Sequence, residues 1–104
     1  MKVIIKEPGN LGYEKDIPNT LETFQAEVGG PIEVVRVNSR LVAVGNEEGR
    51  LMGLLPNVLD LCGTIVFCGE DGEEFADIDP QSSEMLRTGY RPLLIPLEGG
   101  KHAE

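Results

Sequence analysis

The spacing of apolar residues changes once between residues 19 and 37, from the period of a helix to that of a strand. Leu21, Phe24 and Val28 recur at i, i+3 and i+7, and most positions between them are polar. This spacing predicts a helix with one apolar face. The run IEVVRV that follows is β-branched apart from two charged residues, which favours an extended strand.

Residues with strong positional preferences mark both ends of the predicted helix. Asn19 is a favourable N-cap, and Glu22 stands three residues later, where it is expected to complete a capping box. Gly29 and Gly30 are expected to end the helix, because glycine readily takes the left-handed conformation of a C-cap. Pro31 cannot continue the helix, so the strand is predicted to begin directly after it.

The strand is expected to be one arm of a hairpin. Ile32–Val37 and Leu41–Val44 flank the segment Asn38-Ser39-Arg40, which has the composition of a tight turn. Alternation of side chains along Ile32–Val37 places apolar residues on both faces. Because apolar residues on both faces are typical of a strand covered on both sides, we expect it in the centre of the sheet.

Further apolar runs are bounded by Gly, Pro, Asn and Asp. They predict strands at Lys2–Glu7, Tyr13–Ile17, Thr64–Cys68 and Glu73–Ile78, with an edge strand at Arg91–Leu97. Asp71-Gly72 is a hairpin turn signal, and the charged arm after it is expected at a sheet edge. Asp79 is expected to cap a last short helix that has Pro80 in its first position and runs to about Arg87.

These elements predict an α+β fold, a mostly antiparallel sheet of five or six strands with one main helix packed on it and short helical turns. The 104 residues have the size of one domain. Residues 1–97 are expected to form it, and residues 98–104 to be a disordered tail. No apolar run approaches the roughly 18 residues that span a membrane, and no signal pattern opens the chain, so we expect a cytoplasmic protein.

The segment GNEEGRL is the most distinctive polar run in the chain. It is expected to be a loop in which Glu47 or Glu48 pairs with Arg50. Met52–Leu61 is expected to form one or two short helical turns that lay four apolar side chains on the sheet: Leu54, Leu55, Val58 and Leu61. Exposed polar loops on a rigid sheet are where binding function concentrates. The candidate recognition residues are therefore Asn46, Glu47, Glu48, Arg50 and Asn57.

The charge of the chain limits its partners. Eighteen carboxylates against nine Lys and Arg give a net charge of −9, which repels nucleic-acid phosphates. The chain has no Trp, and only 5% of its residues are aromatic, so a base-stacking platform is not expected either. The acidity is consistent with solubility alone, with a basic protein partner, or with imitation of DNA.

Carboxylates are densest between residues 70 and 79. The expected structure is a solvated acidic edge hairpin, because the ligand spacing of a calcium loop is absent. No metal site is predicted there. The acidic hairpin comprises Glu70, Asp71, Glu73, Glu74 and Asp77, and Asp79 follows it.

Groups that would support an enzyme mechanism are scarce. His102 is the only histidine and stands in the tail, so no serine or cysteine has a base beside it in sequence. Cys62 and Cys68 are too few for a disulfide framework or a zinc site, and both are expected to be buried thiols. Glu47 and Glu48 lack the partner that acid–base catalysis needs. Neither an enzyme nor a cofactor is predicted.

Four segments together resemble a known family. KVIIKEPG, NTLETFQAEVGGPIEVV, NEEGRLMGLLPN and GTIVFCGEDGEEF are similar to the small bacterial and phage family catalogued as domain of unknown function 3846. The resemblance covers Lys2–Ile78, and the tail after Arg91 has no counterpart. It implies no activity and no catalytic residues. It does imply a setting in phages, conjugative elements and their hosts.

Two functions of different classes are consistent with these observations. The first is a non-catalytic interaction protein of a phage or mobile element, whose acidic face blocks a host defence or nucleic-acid enzyme with a basic surface. The second is a small-ligand binder, for example of a signalling nucleotide, which requires Arg36, Arg40 or Arg50 to converge on phosphates. A third, an acid-catalysing enzyme, requires a carboxylate in a pocket. A dimer is left open.

Overall fold

A computed structural model describes residues 1–89 of the chain. In this part the chain forms six strands and two helices, and a three-residue 3-10 turn lies between the fourth and fifth strands. The strands are β1 (Lys2–Lys6), β2 (Tyr13–Asp16), β3 (Ile32–Asn38), β4 (Leu41–Asn46), β5 (Ile65–Asp71) and β6 (Glu74–Ala76). The helices are α1 (Leu21–Val28) and α2 (Pro80–Thr88), and the 3-10 turn is Val58–Asp60.

All strand pairs of the sheet are antiparallel, in the order β2-β1-β5-β4-β3, and β6 pairs with the far end of β5. This architecture confirms the predicted α+β fold and its number of strands. β5 lies in the centre, which agrees with the continuous apolar run from which it was predicted. The predicted edge strand Arg91–Leu97 and the tail lie outside the described residues.

The sheet is covered by apolar residues on both faces. On one face Phe24 and Val28 of α1 pack on a cluster of strand side chains: Val3, Ile5, Val42, Val44, Val66 and Cys68. On the other face Leu86 of α2 packs with Ile4, Leu41, Ala43, Leu61, Ile65, Phe67 and Ile78. The two clusters make the sheet the middle layer of the fold.

The start of α1 differs from the prediction. Thr20, not Asn19, is the N-cap, and its Oγ1 accepts a hydrogen bond of 3.1 Å from the N–H of Thr23. The Asn19 amide instead donates to the carbonyl of Phe75, 3.0 Å away, and so ties the helix start to β6. Since Asn and Thr are both good caps, the sequence alone could not choose between two neighbours, one of which is used in a tertiary contact.

The helical face was also predicted one residue too wide. Phe24 and Val28 are buried, but Leu21 is exposed because it is the first residue of the helix and lies beyond the edge of the apolar cluster. The predicted end is confirmed: Gly29 is the C-cap, with a φ of 84°.

The position of β3 corrects a second prediction. Among residues 1–89, β3 pairs only with β4 and is the outermost strand at one end of the sheet, whereas a central position was expected. Its apolar side chains are only half-buried or exposed, and those of β4 are fully buried. A run of β-branched residues therefore predicts a strand but not whether it is central or at an edge, because that position is determined by pairing with residues distant in sequence.

The capped start of α2 confirms its prediction and has a pH consequence. Asp79 accepts hydrogen bonds from the N–H of Ser82, at 2.9 Å, and from its hydroxyl, at 2.8 Å. Burial of the carboxyl works against ionisation, but these bonds and the nearby Arg40 outweigh it and hold the pKa of Asp79 below its usual value. A carboxylate whose pKa is lowered by folding stabilises the protein above its unfolded pKa, and this contribution is lost as the pH falls through the folded pKa.

We therefore expect the stability difference between the wild type and an Asp79→Asn variant to depend on pH. Urea unfolding should show the wild type more stable near neutral pH, by about 0.3–1 kcal/mol, because Asn can still cap the helix and only the favourable charge of the carboxylate at the helix N-terminus is lost. The difference should shrink as the pH falls below about 4, where carboxylates begin to take up protons in unfolded chains. A difference that stays constant into strong acid would show that the ionised carboxyl is not the cap.

Candidate recognition loop

The segment from Asn46, the last residue of β4, to Gly63 leads to β5 and is called here the anchored loop, because a buried asparagine holds its start and a half-buried asparagine holds its second half. It contains the four candidate residues Glu47, Glu48, Arg50 and Asn57, and it begins at the fifth, Asn46. None of the loop is helical apart from the turn at Val58–Asp60.

Asn46 anchors the start of the loop to α1. Its side chain is buried, and the Nδ2 amide donates to the carbonyl of Val28 at 3.1 Å. Its Oδ1 accepts from the N–H of Glu48 at 2.7 Å. The backbone N–H of Glu47 donates to the carbonyl of Pro31 at 2.7 Å. The first turn of the loop is therefore bound to the helix end and to the strand that follows the helix.

Asn57 anchors the second half of the loop to the end of β1. Its amide donates to the carbonyls of Lys6 and Gly63, at 2.9 and 2.8 Å. Its Oδ1 accepts from the N–H of Val58 at 2.8 Å and from the Lys6 ammonium at 3.2 Å. The Asn57 side chain thus uses both of its N–H donors and both acceptor positions of its oxygen in these four hydrogen bonds.

Lys6 is the cation at this anchor. The residue is buried, and its Nζ also donates to the carbonyl of Glu7 at 3.1 Å. Burial lowers the pKa of the Lys6 ammonium. Among residues 1–89 it has no carboxylate within ion-pair distance, so neutral oxygens alone stabilise its charge.

Backbone hydrogen bonds close the loop on itself. The N–H of Met52 donates to the carbonyl of Glu48, that of Leu54 to Gly49, and that of Gly63 to Leu55, at 2.9, 3.0 and 2.7 Å. Gly49 is required here, because a Cβ at this position would clash with the carbonyl oxygen of Cys62. The result is a compact loop with a fixed backbone.

The turn at Val58–Asp60 lies where a short helical turn was predicted, but its backbone is left-handed. Leu59 and Asp60 both have a φ of 61°, and the N–H of Leu61 donates to the carbonyl of Val58 at 3.1 Å. Two successive left-handed residues form a tight reversal of the type that usually contains Asn and Gly. Leu61 is buried as predicted, but Leu55 is 70% exposed.

Replacing Asp60 by glycine is expected to leave stability unchanged or raise it by up to about 1 kcal/mol, because glycine adopts positive φ without steric cost. The cost of losing the exposed ion pair with Arg50, at 3.3 Å, is small. Thermal unfolding of the variant measures the balance. A loss of more than about 1 kcal/mol would show that the ion pair, not the backbone, governs this turn.

The outer surface of the loop is apolar. Leu51 is 89% exposed, Met52 52% and Leu55 70%, and these three side chains form the loop tip. Beside the tip, a groove of about 360 Å³ runs between the loop and the end of α1. It is lined by Leu54, Leu55, Gly63, Thr64, Pro8 and residues 26–29. Several large apolar side chains that are exposed close together on a fixed backbone are typical of an interaction surface.

The structure separates the five candidate residues into two groups. Glu47, Glu48 and Arg50 are exposed beside the loop tip. Asn46 and Asn57, predicted to be exposed, instead lie inside and hold the loop. Arg50 pairs with Asp60 and not with Glu47 or Glu48, because the loop closes on its own second half.

The arginines that a phosphate site would require do not meet. Arg36 pairs with Glu70, Arg40 donates to Gln81 at 3.4 Å, and Arg50 donates to Asp60. Arg40 and Arg50 stand at opposite ends of β4, a six-residue strand and so roughly 20 Å long. The alternative of a nucleotide binder requires these three arginines to converge, and the structure engages each of them with a different partner instead.

The acidic hairpin of β5 and β6 is largely exposed. Glu70 is engaged by Arg36, and Asp77 accepts from the backbone N–H of Lys2 at 2.9 Å. Asp71, Glu73 and Glu74 are exposed, without an ion pair to residues in the described part. No group of three or more His, Cys, Asp or Glu side chains within residues 1–89 is placed to hold a metal ion.

The two cysteines are both free, but they differ in burial. Cys68 is buried in the sheet, and burial raises the pKa of its thiol to about 12, so it is unreactive. Cys62 is only half-buried, which corrects the prediction for that residue. Its carbonyl, not its thiol, is the group that packs against Gly49.

The sequence pattern does not indicate the loop tip, which is the most distinctive surface of the described residues. The leucine-rich run predicts a buried segment, since apolar density usually indicates core. The available signal was the frequency of turn residues, because Gly49, Gly53 and Pro56 leave no length for a helix that could lay every leucine on the sheet.

Comparison with known proteins gives a family but no function. A family model described as domain of unknown function (DUF3846) matches residues 1–91, which confirms the resemblance seen in the sequence. No curated protein and no solved structure matches the chain. No helix within the described residues is long and apolar enough to cross a membrane.

Proposed function

The chain belongs to the family described as domain of unknown function (DUF3846), and we propose that it is a non-catalytic protein that binds another protein through its anchored loop. The main observation in support of this proposal is that Leu51, Met52 and Leu55 are exposed on a loop whose backbone is held by Asn46 and Asn57. Exposure of these apolar side chains to water is unfavourable, and a partner that covers them gains the free energy of burying them.

The free energy gained by covering the three exposed side chains supports binding through the loop tip. Covering an exposed Leu or Met side chain contributes about 1.5–3 kcal/mol. Because the backbone of the loop is already ordered, little conformational entropy is lost on binding. Covering three side chains therefore contributes a substantial part of the binding free energy of about 8 kcal/mol that a micromolar Kd requires.

The charges beside the tip indicate the chemistry of the partner. Glu47 and Glu48 are exposed next to Leu51, and the whole chain carries a net charge of −9. A partner with an apolar centre and a basic rim fits this surface, and the charges would speed its association. Enzymes that act on nucleic acids have basic surfaces because they bind phosphates. The proposal therefore includes the blocking of a host defence or nucleic-acid enzyme in the cytoplasm by a protein of a phage or mobile element.

Absence of catalysis is part of the proposal, and the positions of the carboxylates support it. Glu47 and Glu48 are both exposed at the surface. Acid–base catalysis uses carboxylates in a water-excluding pocket, where burial and neighbours tune their pKa.

The test is capture from a bacterial host lysate on the immobilised protein. We expect a basic protein to be retained at low salt and released at high salt, since salt screens the charged rim. The double variant Leu51→Ser/Leu55→Ser should retain at least tenfold less of it. The matched control is Leu11→Ser, which alters a leucine of 54% exposure outside the loop and should bind as the wild type does.

Three results would contradict the proposal. One is equal capture by the wild type and the double variant. Another is a nucleotide that co-purifies in stoichiometric amount while no protein is retained, which would favour ligand binding. The third is turnover of a substrate by the purified chain.

A further inference from the structure

The two edge strands at the ends of the sheet, β2 and β3, differ in length and in charge. β2 has only four residues, all exposed, and three of them are charged, which is typical of an edge protected against pairing. β3 has seven residues, of which four are β-branched, and no strand of the described residues pairs with its outer side. Val34, in its middle, is 47% exposed.

The register with β4 shows which backbone groups of β3 point outward. Pro31 and Glu47 form a hydrogen-bonded pair of the ladder, since the N–H of Glu47 donates to the carbonyl of Pro31. Hydrogen-bonded and non-hydrogen-bonded pairs alternate along an antiparallel ladder. The N–H and C=O groups of Ile32, Val34 and Arg36 are therefore directed away from β4, to the edge that no strand of residues 1–89 covers.

The outward groups are symmetric about Val34. Pro31 limits the free edge on one side, and a bulge between Arg36 and Asn38 limits it on the other. The regular part of the edge is thus residues 32–36, with Val34 at its centre. A two-fold axis through Val34 would set Val34 opposite its own copy and Ile32 opposite Arg36 of the second copy. In this register Glu33 faces Val35, so no like charges are directly opposed.

We propose that β3 is a dimerisation edge, on which a second copy of this chain pairs antiparallel about Val34. The two sheets then form one continuous sheet. The exposed valines cover each other, and the outward N–H and C=O groups of Ile32, Val34 and Arg36 are satisfied. This surface is separate from the loop tip, so the proposal does not depend on the proposed function.

Charge predicts how the dimer responds to salt. Each copy carries a net charge of −9, and bringing two copies together is opposed by their mutual repulsion. Salt screens that repulsion, so the dimer should become tighter as salt is added. The complex with a basic partner should instead become weaker, and the two interactions are distinguishable by this sign alone.

The test is sedimentation velocity of the wild-type chain and two charge variants over a range of concentrations. The wild type should show a concentration-dependent monomer–dimer equilibrium. Val34→Lys and Val34→Glu should each be monomeric, because each places like charges opposite each other at the axis. An equal mixture of the two should restore a dimer that contains one copy of each, which also shows that both variants are folded.

The control is Tyr13→Lys, which adds the same charge to a half-exposed position on the opposite edge and should dimerise as the wild type does. A wild type that stays monomeric at its highest soluble concentration overturns the proposal. So does a Val34→Lys variant that remains dimeric, or a mixture of the two variants that remains monomeric.

Discussion

Replacing Asn57 by alanine is expected to lower the free energy of unfolding by about 3 kcal/mol. The substitution removes four hydrogen bonds and leaves the carbonyls of Lys6 and Gly63 without their donor. Each net hydrogen bond contributes about 1 kcal/mol, and each polar group left unpaired in a buried site costs about 1–3 kcal/mol. The Lys6 ammonium also loses one of its two acceptors, so its charge becomes harder to hold in place.

Urea unfolding measures this loss, and Asn38→Ala is the matched control. Asn38 is exposed at the β3–β4 turn, and its side chain accepts one hydrogen bond, of 2.8 Å, from the N–H of Arg40. The control should lose at most about 1 kcal/mol. Equal losses from the two substitutions would show that Asn57 does not anchor the loop.

Replacing Phe24 by alanine is expected to cost about 3–5 kcal/mol, the usual range for a buried phenylalanine. Phe24 is fully buried, and its ring lies 4.7 Å from that of Phe75, measured between centroids. The substitution leaves a cavity between α1 and the sheet and removes the contact that joins α1 to β6. Small domains have only about 5–15 kcal/mol of stability, so a partly unfolded population is expected at 37 °C.

Leu21→Ala is the control for this prediction, because Leu21 is on the same helix but exposed. It should change stability by less than about 1 kcal/mol. Chemical unfolding followed by circular dichroism measures both variants. A loss below about 2 kcal/mol for Phe24→Ala would mean that α1 contributes little to the core.

Local patterns were sufficient to predict most of the fold. The glycine stop of α1, the capped start of α2 and the strand β5 each depend on residues close in sequence, and each is confirmed. The edge position of β3 was missed, because the order of strands is determined by contacts across the whole chain. The same explanation holds for Asn19, whose amide is used by Phe75, more than fifty residues away.

The loop that carries the candidate residues was predicted at its position along the chain, but the buried placement of its asparagines was not. A polar run between two strands correctly indicated the loop, and Glu47, Glu48 and Arg50 are exposed there. The roles of Asn46 and Asn57 were not predictable, because an asparagine that holds a loop from inside has the same sequence signature as one that is exposed. The exposure of Leu51 and Leu55 was hidden for a related reason, since apolar residues are assigned to a core unless the backbone that turns them outward is known.

The central claim is that the anchored loop is a fixed surface that binds a protein partner. Hydrogen–deuterium exchange of the chain, alone and in complex with the captured partner, tests it most directly. We expect Leu54 and Gly63, whose amides are hydrogen-bonded within the loop, to exchange slowly in the free chain. We also expect binding to slow exchange further at residues 47–55 and to leave exchange in the acidic hairpin unchanged. Protection at residues 70–77 with no change in the loop would contradict it.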